Sequence, residues 1–192
     1  MSNDSYRELT ASQLPALHLL MAMGWHYLPP AEALALRGGK RSAVILDSVL
    51  SDWLRAHNHI DTKGRAVPFS DANITLAINK LRAVETVRGL IPSSMAAYDL
   101  ITLPVSLEQT IDGDKRSFDL RYIDWAHPEN NVYHVTDEYE VEREINAQTR
   151  RPDIVLFVNG IPLAVVECKR SDMTTTKGER AVFQAVKQML RN

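Results

Sequence analysis

The sequence predicts an α/β (α+β) protein, with a mixed central sheet flanked by helices and a helical N-terminal lobe packed on that core. Three observations carry the prediction. Apolar residues recur at helical spacing through the first hundred positions, apolar and β-branched runs with turn signals dominate from about Val105, and an amphipathic stretch closes the chain from about Gly178. The lobe is expected to occupy residues 1–104 and the core residues 105–192. With no internal repeat and no Pro/Ser/Gly linker between them, the two halves are expected to pack as one structural domain. The chain stops at Asn192 without a helix-ending signal, so it is expected to be a fragment of a longer protein.

Taken in order, Thr10-Ala-Ser-Gln13 has the form of a capping box, and LPALHLLMAM runs from it to Gly24, a helix stop. Ser42 is placed to cap a second helix, in which Val44, Ile45, Val49, Leu50, Trp53 and Leu54 form an apolar stripe. Further helices are expected over Ser70 to Val84 and Ser94 to Thr102. The β segments follow: VSLEQTI, the turn-like Asp112-Gly-Asp114, SFDLRYIDW, NVYHVTDEYEVE, DIVLFV and LAVVECK, read together as a sheet. In the closing helix Val182, Ala185, Val186, Met189 and Leu190 share one side.

At 192 residues the chain can bury a sound core without disulfides or a structural metal. A formal net charge of -2 argues against gripping nucleic acid by bulk electrostatics, so any basic surface must be local. The C-terminal quarter supplies it, with Arg150, Arg151, Lys169, Arg170, Lys177, Arg180, Lys187 and Arg191. Cys168 is the one cysteine, which excludes an internal disulfide framework. The N-terminus lacks the basic and apolar regions of a signal peptide, and Leu14 to Met23 is too short to span a bilayer. The expected compartment is the cytoplasm, with no membrane role.

Charge enters the segment from Arg151 to Lys169 only at its ends. Asn159-Gly160 favours positive φ, so DIVLFV and LAVVECK should form an antiparallel hairpin, and their near-continuous apolarity implies cover on both faces. Register decides whether the terminal charges can meet. A two-residue turn would pair Val158 with Ile161 and set Asp153 opposite Val166, on the other face from Glu167. A three-residue turn over Asn159 to Ile161 would pair Val158 with Pro162 and Asp153 with Glu167, and this register is predicted. It leaves Pro162 at a strand start, where its missing N–H is tolerated.

Glu167 and Lys169, two apart in a strand, share the face of Asp153, while Cys168 points to the other. Two carboxylates with open positions suit Mg2+, which keeps several waters and accepts phosphate oxygens. Asp153 and Glu167 are the expected metal ligands, joined by the backbone carbonyl of Cys168. Lys169 would orient an attacking water or stabilise the transition state of phosphodiester hydrolysis. A single Glu-x-Lys is common on surfaces. Pro-Asp, hairpin turn and Glu-x-Lys in this order are far more specific than an ion pair decorating a strand end, because buried charges are seldom retained without a use.

Arg-Pro-Asp153 followed by Val-Val-Glu167-Cys-Lys169 resembles the PD-(D/E)xK nuclease signature. Most closely the chain resembles the N-terminal endonuclease domain of the restriction (R) subunit of type I restriction-modification enzymes. The likeness includes Leu14-Pro-Ala-Leu, Gly24-Trp25, Ile123-Asp-Trp125 and Pro128-Glu-Asn-Asn131. It implies a restriction-endonuclease-like core with Asp153, Glu167 and Lys169 catalytic, and Mg2+-dependent cleavage of double-stranded DNA. It also implies methyltransferase and specificity subunits as partners, and ATP used only in downstream helicase-like domains that this chain lacks. Related nucleases often carry Gln-x-x-x-Tyr after the Lys; here Gln184-Ala-Val-Lys-Gln188 keeps only Gln184. Many carry a first-helix Glu on the metal side, for which Glu8 is the candidate, with Gln13 on the helix itself. The alternatives are a RecB-like repair nuclease, or a catalytically silent DNA-binding or assembly module of the same fold.

Rival motifs are weaker. Arg37-Gly-Gly-Lys40-Arg-Ser42 lacks the leading glycine of a phosphate loop and reads as a polar inter-helix connection. His57-Asn-His59 reads as a helix end, where histidine suits the dipole. One Cys and six scattered His disfavour zinc. Asp124 is a structural acid or an accessory one near the site, and Arg151, Arg170 and Lys177 are candidate phosphate contacts.

Overall fold

The fully apolar run Ile154–Val158 (β9) lies inside a four-stranded mixed sheet, and burial on both of its faces is what its lack of polar alternation requires. The computed structural model describes residues 9–84, 90–142 and 149–169. The sheet runs β1 (His26–Tyr27), β6 (Tyr133–Asp137), β9, β10 (Ile161–Val166) in spatial order. β1 pairs parallel with β6, and the other two pairings are antiparallel. The protein is therefore mixed α/β.

Contacts divide the chain into two compact units, Met1–Leu46 with Tyr133–Asn192, and Asp47–Val132. They cut across the division expected at residue 104. The first unit holds the four-stranded sheet, a π-helical turn at Leu9–Gln13 running into helix α1 (Leu14–Ala22), and helix α2 (Pro30–Leu36). Gly24, at φ 98°, ends the first helical segment as its position predicts. Where a capping box is expected, Leu9–Gln13 winds as a π turn, and Gln13, the residue before α1, makes no side-chain cap hydrogen bond. Leu17, Val135, Ile154 and Cys168 make the buried cluster between α1 and the sheet, with Leu20, Leu156 and Val166 packed against it.

The second unit contains α3 (Asp47–His57), the hairpin β2 (His59–Thr62) and β3 (Arg65–Pro68), α4 (Asp71–Arg82), α5 (Leu90–Thr102), and the hairpin β4 (Val105–Ile111) and β5 (Asp114–Leu120). Ser70 caps α4 by accepting the Asn73 N–H at 3.3 Å, as expected of a Ser before a helical stripe. α3 begins at Asp47 rather than at Ser42, and its buried stripe is Leu50, Trp53 and Leu54. Ile45 and Leu46 are buried from the non-helical segment that precedes α3.

Two further expectations change. The N-terminal hundred residues are not all helical, since β1, β2 and β3 lie among them; strands of two to four residues are too short to show a period. VSLEQTI does not join the central sheet but closes with Asp114–Leu120 as a separate two-stranded hairpin around Asp112 (φ 53°) and Gly113 (φ 90°), and the strand expected through SFDLRYIDW ends at Leu120. Alternating sequence reports that a segment is a strand, not which strand it pairs with. No helix among the described residues is long and apolar enough to cross a membrane. The closing helix expected from about Gly178 lies outside the described residues.

Candidate active site

The β9–β10 hairpin turns on two residues, Asn159 (φ 52°) and Gly160 (φ 83°), with Val158 paired to Ile161. This is the tight turn that Asn-Gly favours, not the three-residue turn expected from the sequence. Uncorrected, it would put Asp153 and Glu167 on opposite faces. A bulge corrects it: the ladder pairs Pro162 with Phe157 and then skips Leu163, so that Ala164 faces Leu156 and Val166 faces Ile154. The next residues outward in that register are Asp153 and Glu167. The expected pairing is reached by another route. Pro162 explains why the irregularity sits there, because it has no N–H to give the ladder and is tolerated beside a bulge.

Alternation then separates the two faces. Ile154, Val166 and Cys168 point into the cluster beneath α1. Asp153, Glu167 and Lys169 belong to the other parity. The Asp153 carboxylate accepts the Cys168 backbone N–H through Oδ2 at 2.6 Å, a contact between residues fifteen apart in sequence that ties the start of β9 to the chain leaving β10. Lys169 Nζ lies 3.2 Å from Glu167 Oε1, with the Glu167 side chain 3% exposed and that of Lys169 16%. A carboxylate so withdrawn from water needs a cation beside it, and the ammonium is one.

The Asp153 backbone is held as firmly as its side chain. Its carbonyl accepts Gln13 Nε2 at 3.2 Å and the Glu138 N–H at 3.1 Å, while the Tyr139 N–H reaches the Pro152 carbonyl at 3.3 Å. Glu138 breaks the strand expected through NVYHVTDEYEVE. It takes φ 50°, a left-handed conformation uncommon outside glycine, and the chain resumes as β7 (Val141–Glu142) against β8 (Thr149–Arg150). Arg151 is exposed and pairs with Glu138 at 2.7 Å. Neither Gln13 nor Glu138 was an evident site residue. The signals for Gln13 are its place on the first helix and its spacing of four and seven before Leu17 and Leu20, which gives it their inward face; for Glu138 there is none.

Asp124 belongs to the second unit, and its carboxylate is engaged within its own loop. Oδ1 accepts the Ala126 and His127 N–H groups at 3.1 and 3.0 Å, and Oδ2 accepts Asn130 Nδ2 at 2.8 Å. The Asn130 hydrogen bond, then the His127 N–H, hold its carboxyl below the ordinary carboxylate range. Glu8, Arg170, Lys177 and Gln184 lie outside the described residues. Arg37 is buried, with Nη1 and Nη2 donating to the carbonyls of Ala43 and Glu140 at 3.0 and 2.6 Å and its guanidinium 4.2 Å from the Tyr139 ring centre, so the glycine-rich loop after it is an inter-helix connection. His57 ends α3, stacked on Trp53.

Residues 5–192 match the family described as the type I restriction enzyme R protein N terminus. The chain belongs to this family. It is similar to the type I restriction enzyme HindI endonuclease subunit of Haemophilus influenzae, 27% identical over 158 residues, covering 80% of this chain and 14% of that protein. It also resembles two Methanocaldococcus jannaschii proteins whose names assign them to type I restriction enzyme endonuclease subunits. The MjaVIIIP protein is 27% identical over 166 residues, covering 86% of this chain and 14% of that protein. The MjaIXP protein is 37% identical over 73 residues, covering 38% of this chain and 7% of that protein. The chain thus spans about a seventh or less of the length of these relatives. No solved structure matches it.

Proposed function

We propose that this chain is the Mg2+-dependent endonuclease domain of a type I restriction subunit, with a PD-(D/E)xK core in which Asp153, Glu167 and Lys169 cut DNA. The observation that carries the reading is the hydrogen bond from the Cys168 N–H to the Asp153 carboxylate, which draws the Pro-Asp and Glu-x-Lys segments together at one end of the sheet. Family membership supports a restriction-system endonuclease role.

The residues fit Mg2+ by donor chemistry. Asp153 offers Oδ1, which accepts from no described residue, Glu167 offers a carboxylate set against the Lys169 ammonium, and the Cys168 carbonyl follows the amide that Asp153 binds. These are hard oxygen donors, and Mg2+ takes one or two carboxylates while keeping water and substrate phosphate on its remaining positions. Among the described residues no group of three or more His, Cys, Asp or Glu side chains is gathered to hold a metal. When bound, the ion would acidify water and offset charge on the phosphoryl oxygens.

This chain's own residues do the rest. Asp153 is rigid at both ends, so its carboxylate is aimed before metal arrives. Glu167, on the neighbouring strand, provides the second carboxylate. Lys169 carries a positive charge in a site largely closed to water, where it can donate to the attacking water or to the phosphoryl oxygens as negative charge accumulates there. Double-stranded DNA is the substrate and Arg151, Arg170 and Lys177 are phosphate contacts. Gln184, Glu8 and Asp124 are accessory at most, and for Asp124 the bonds within its own loop favour a bracing role. Methyltransferase and specificity subunits are the partners, in the cytoplasm, and ATP is consumed by downstream domains.

Plasmid cleavage by the assembled complex tests the reading. Glu167→Ala is expected to reduce cleavage at least about a hundredfold, the equivalent of losing a few kcal/mol of transition-state stabilisation, with ATP hydrolysis retained. Cleavage at the wild-type rate by Glu167→Ala would leave a silent DNA-binding or assembly module as the reading.

A further inference from the structure

We infer that Gln13 is a positioning residue for the reaction, acting from the first helical segment through the backbone of Asp153. The inference rests on Asp153 being a metal ligand, as proposed above. Gln13 is 5% exposed, and its side-chain amide donates to the Asp153 carbonyl across 140 residues of sequence. A buried primary amide that reaches the backbone of one candidate ligand is an expensive arrangement if packing is its only purpose, because an apolar side chain of the same size would fill the space without desolvating polar atoms.

The placement is specific. Gln13 is the last residue of the π-helical turn Leu9–Gln13, and such turns, with one extra residue in the hydrogen-bonded ring, rotate the side chains that follow and recur at functional sites. Leu17, one turn later, lies in the buried cluster with Ile154 and Cys168, so the helix that packs on that cluster also holds the peptide at the start of β9.

The second donor to that carbonyl is the Glu138 N–H, on a residue at φ 50° whose side chain is engaged by exposed Arg151. A left-handed non-glycine residue is a poor sole anchor. Two donors fix the plane of the peptide after Asp153, and with it the direction of the Cα–Cβ bond. The carboxylate is fixed at its other end by the Cys168 N–H at 2.6 Å. Without the Gln13 amide, Asp153 keeps that far contact but loses half of the support for its backbone. The first helical segment thus contributes an amide that aims the acid at the start of β9.

Manganese binding to the full-length protein, followed by electron paramagnetic resonance, tests this, with melting temperature and the Mg2+ dependence of cleavage read alongside. Gln13→Met, nearly isosteric, is expected to weaken Mn2+ binding about tenfold, the low end of the range for outer-shell supports, at a temperature where circular dichroism shows it folded. Gln13→Glu presents a carboxylate to a carbonyl and repels it, but its buried acid form donates again. Its Mn2+ affinity, taken relative to wild type, should therefore recover as pH falls from about 8 toward about 6. This recovery would not follow from packing alone, and it decides the matter if Gln13→Met fails to fold. Wild-type Mn2+ affinity in folded Gln13→Met, or a pH-independent ratio for Gln13→Glu, overturns the inference while Asp153→Ala still loses binding. Undiminished Mn2+ binding by Asp153→Ala would instead remove the metal reading itself, and this inference with it.

Discussion

Two aspartates, one in each unit, show how differently an acid can be used. Asp124 spends its three side-chain hydrogen bonds within six residues of itself, on Ala126, His127 and Asn130, and they close a loop. Asp153 makes its side-chain bond fifteen residues away, across to the chain leaving the neighbouring strand, and its backbone is gripped from Gln13 and Glu138 as well. Asp124 braces the segment it belongs to. Asp153 is braced by others and keeps an oxygen to which no described residue donates, which is the arrangement a ligand-binding acid needs.

That contrast breaks most sharply at the bulge. Leu163 is the extra residue that lets a two-residue turn set Asp153 across from Glu167. Inserting one alanine after Leu163 should slip Glu167 and Lys169 to the opposite face, abolishing Mn2+ binding and reducing cleavage at least about a hundredfold. Deleting Leu163 should do neither, because Ala164 then follows Pro162 into an unbroken ladder with the same outer register. Equal damage from insertion and deletion, in variants that both fold by circular dichroism, would show that the register is not what assembles the site.

Asp124→Ala is the intermediate case. Because the Asn130 and backbone hydrogen bonds hold the folded carboxyl below its ordinary value of 3.8, its contribution to stability is present above that value and disappears as pH falls through the folded one. The melting temperature of Asp124→Ala should lie below wild type near neutral pH, and the gap should close in strong acid, with Mn2+ affinity unchanged throughout. A loss of Mn2+ affinity would move Asp124 from the loop to the site. The smallest effect is expected at Arg151, whose pair with Glu138 is solvent-exposed. Arg151→Ala should change stability by no more than about 1 kcal/mol, yet lower the salt-dependence slope of DNA binding by about 1. An unchanged slope would leave Arg151 a surface ion pair.

What the sequence made legible follows from range. The helix start at Ser70, Gly24 as a stop, the Asp112-Gly113 and Asn159-Gly160 turns and the apolar β9 each depend on a few adjacent residues, and each forms where those residues stand. The opposition of Asp153 and Glu167 is legible because a hairpin converts sequence distance into register, although the turn has two residues rather than three and the bulge that compensates is marked in sequence only by Pro162. Long-range pairings carried no local mark. The parallel partner of β6 is a two-residue strand over a hundred positions earlier, and the β4–β5 hairpin looks in sequence like any two strands of a larger sheet. Gln13 carries no such mark either: in sequence it completes the form of a capping box, and nothing beside it announces a partner at Asp153.

The most direct measurement is anomalous diffraction from a crystal of the protein soaked in Mn2+. A peak is predicted at about 2.1 Å from carboxylate oxygens of both Asp153 and Glu167, lost in Glu167→Ala. A cleavage-competent protein whose ordered manganese lies at other acids, with Asp153 and Glu167 untouched, would contradict the account.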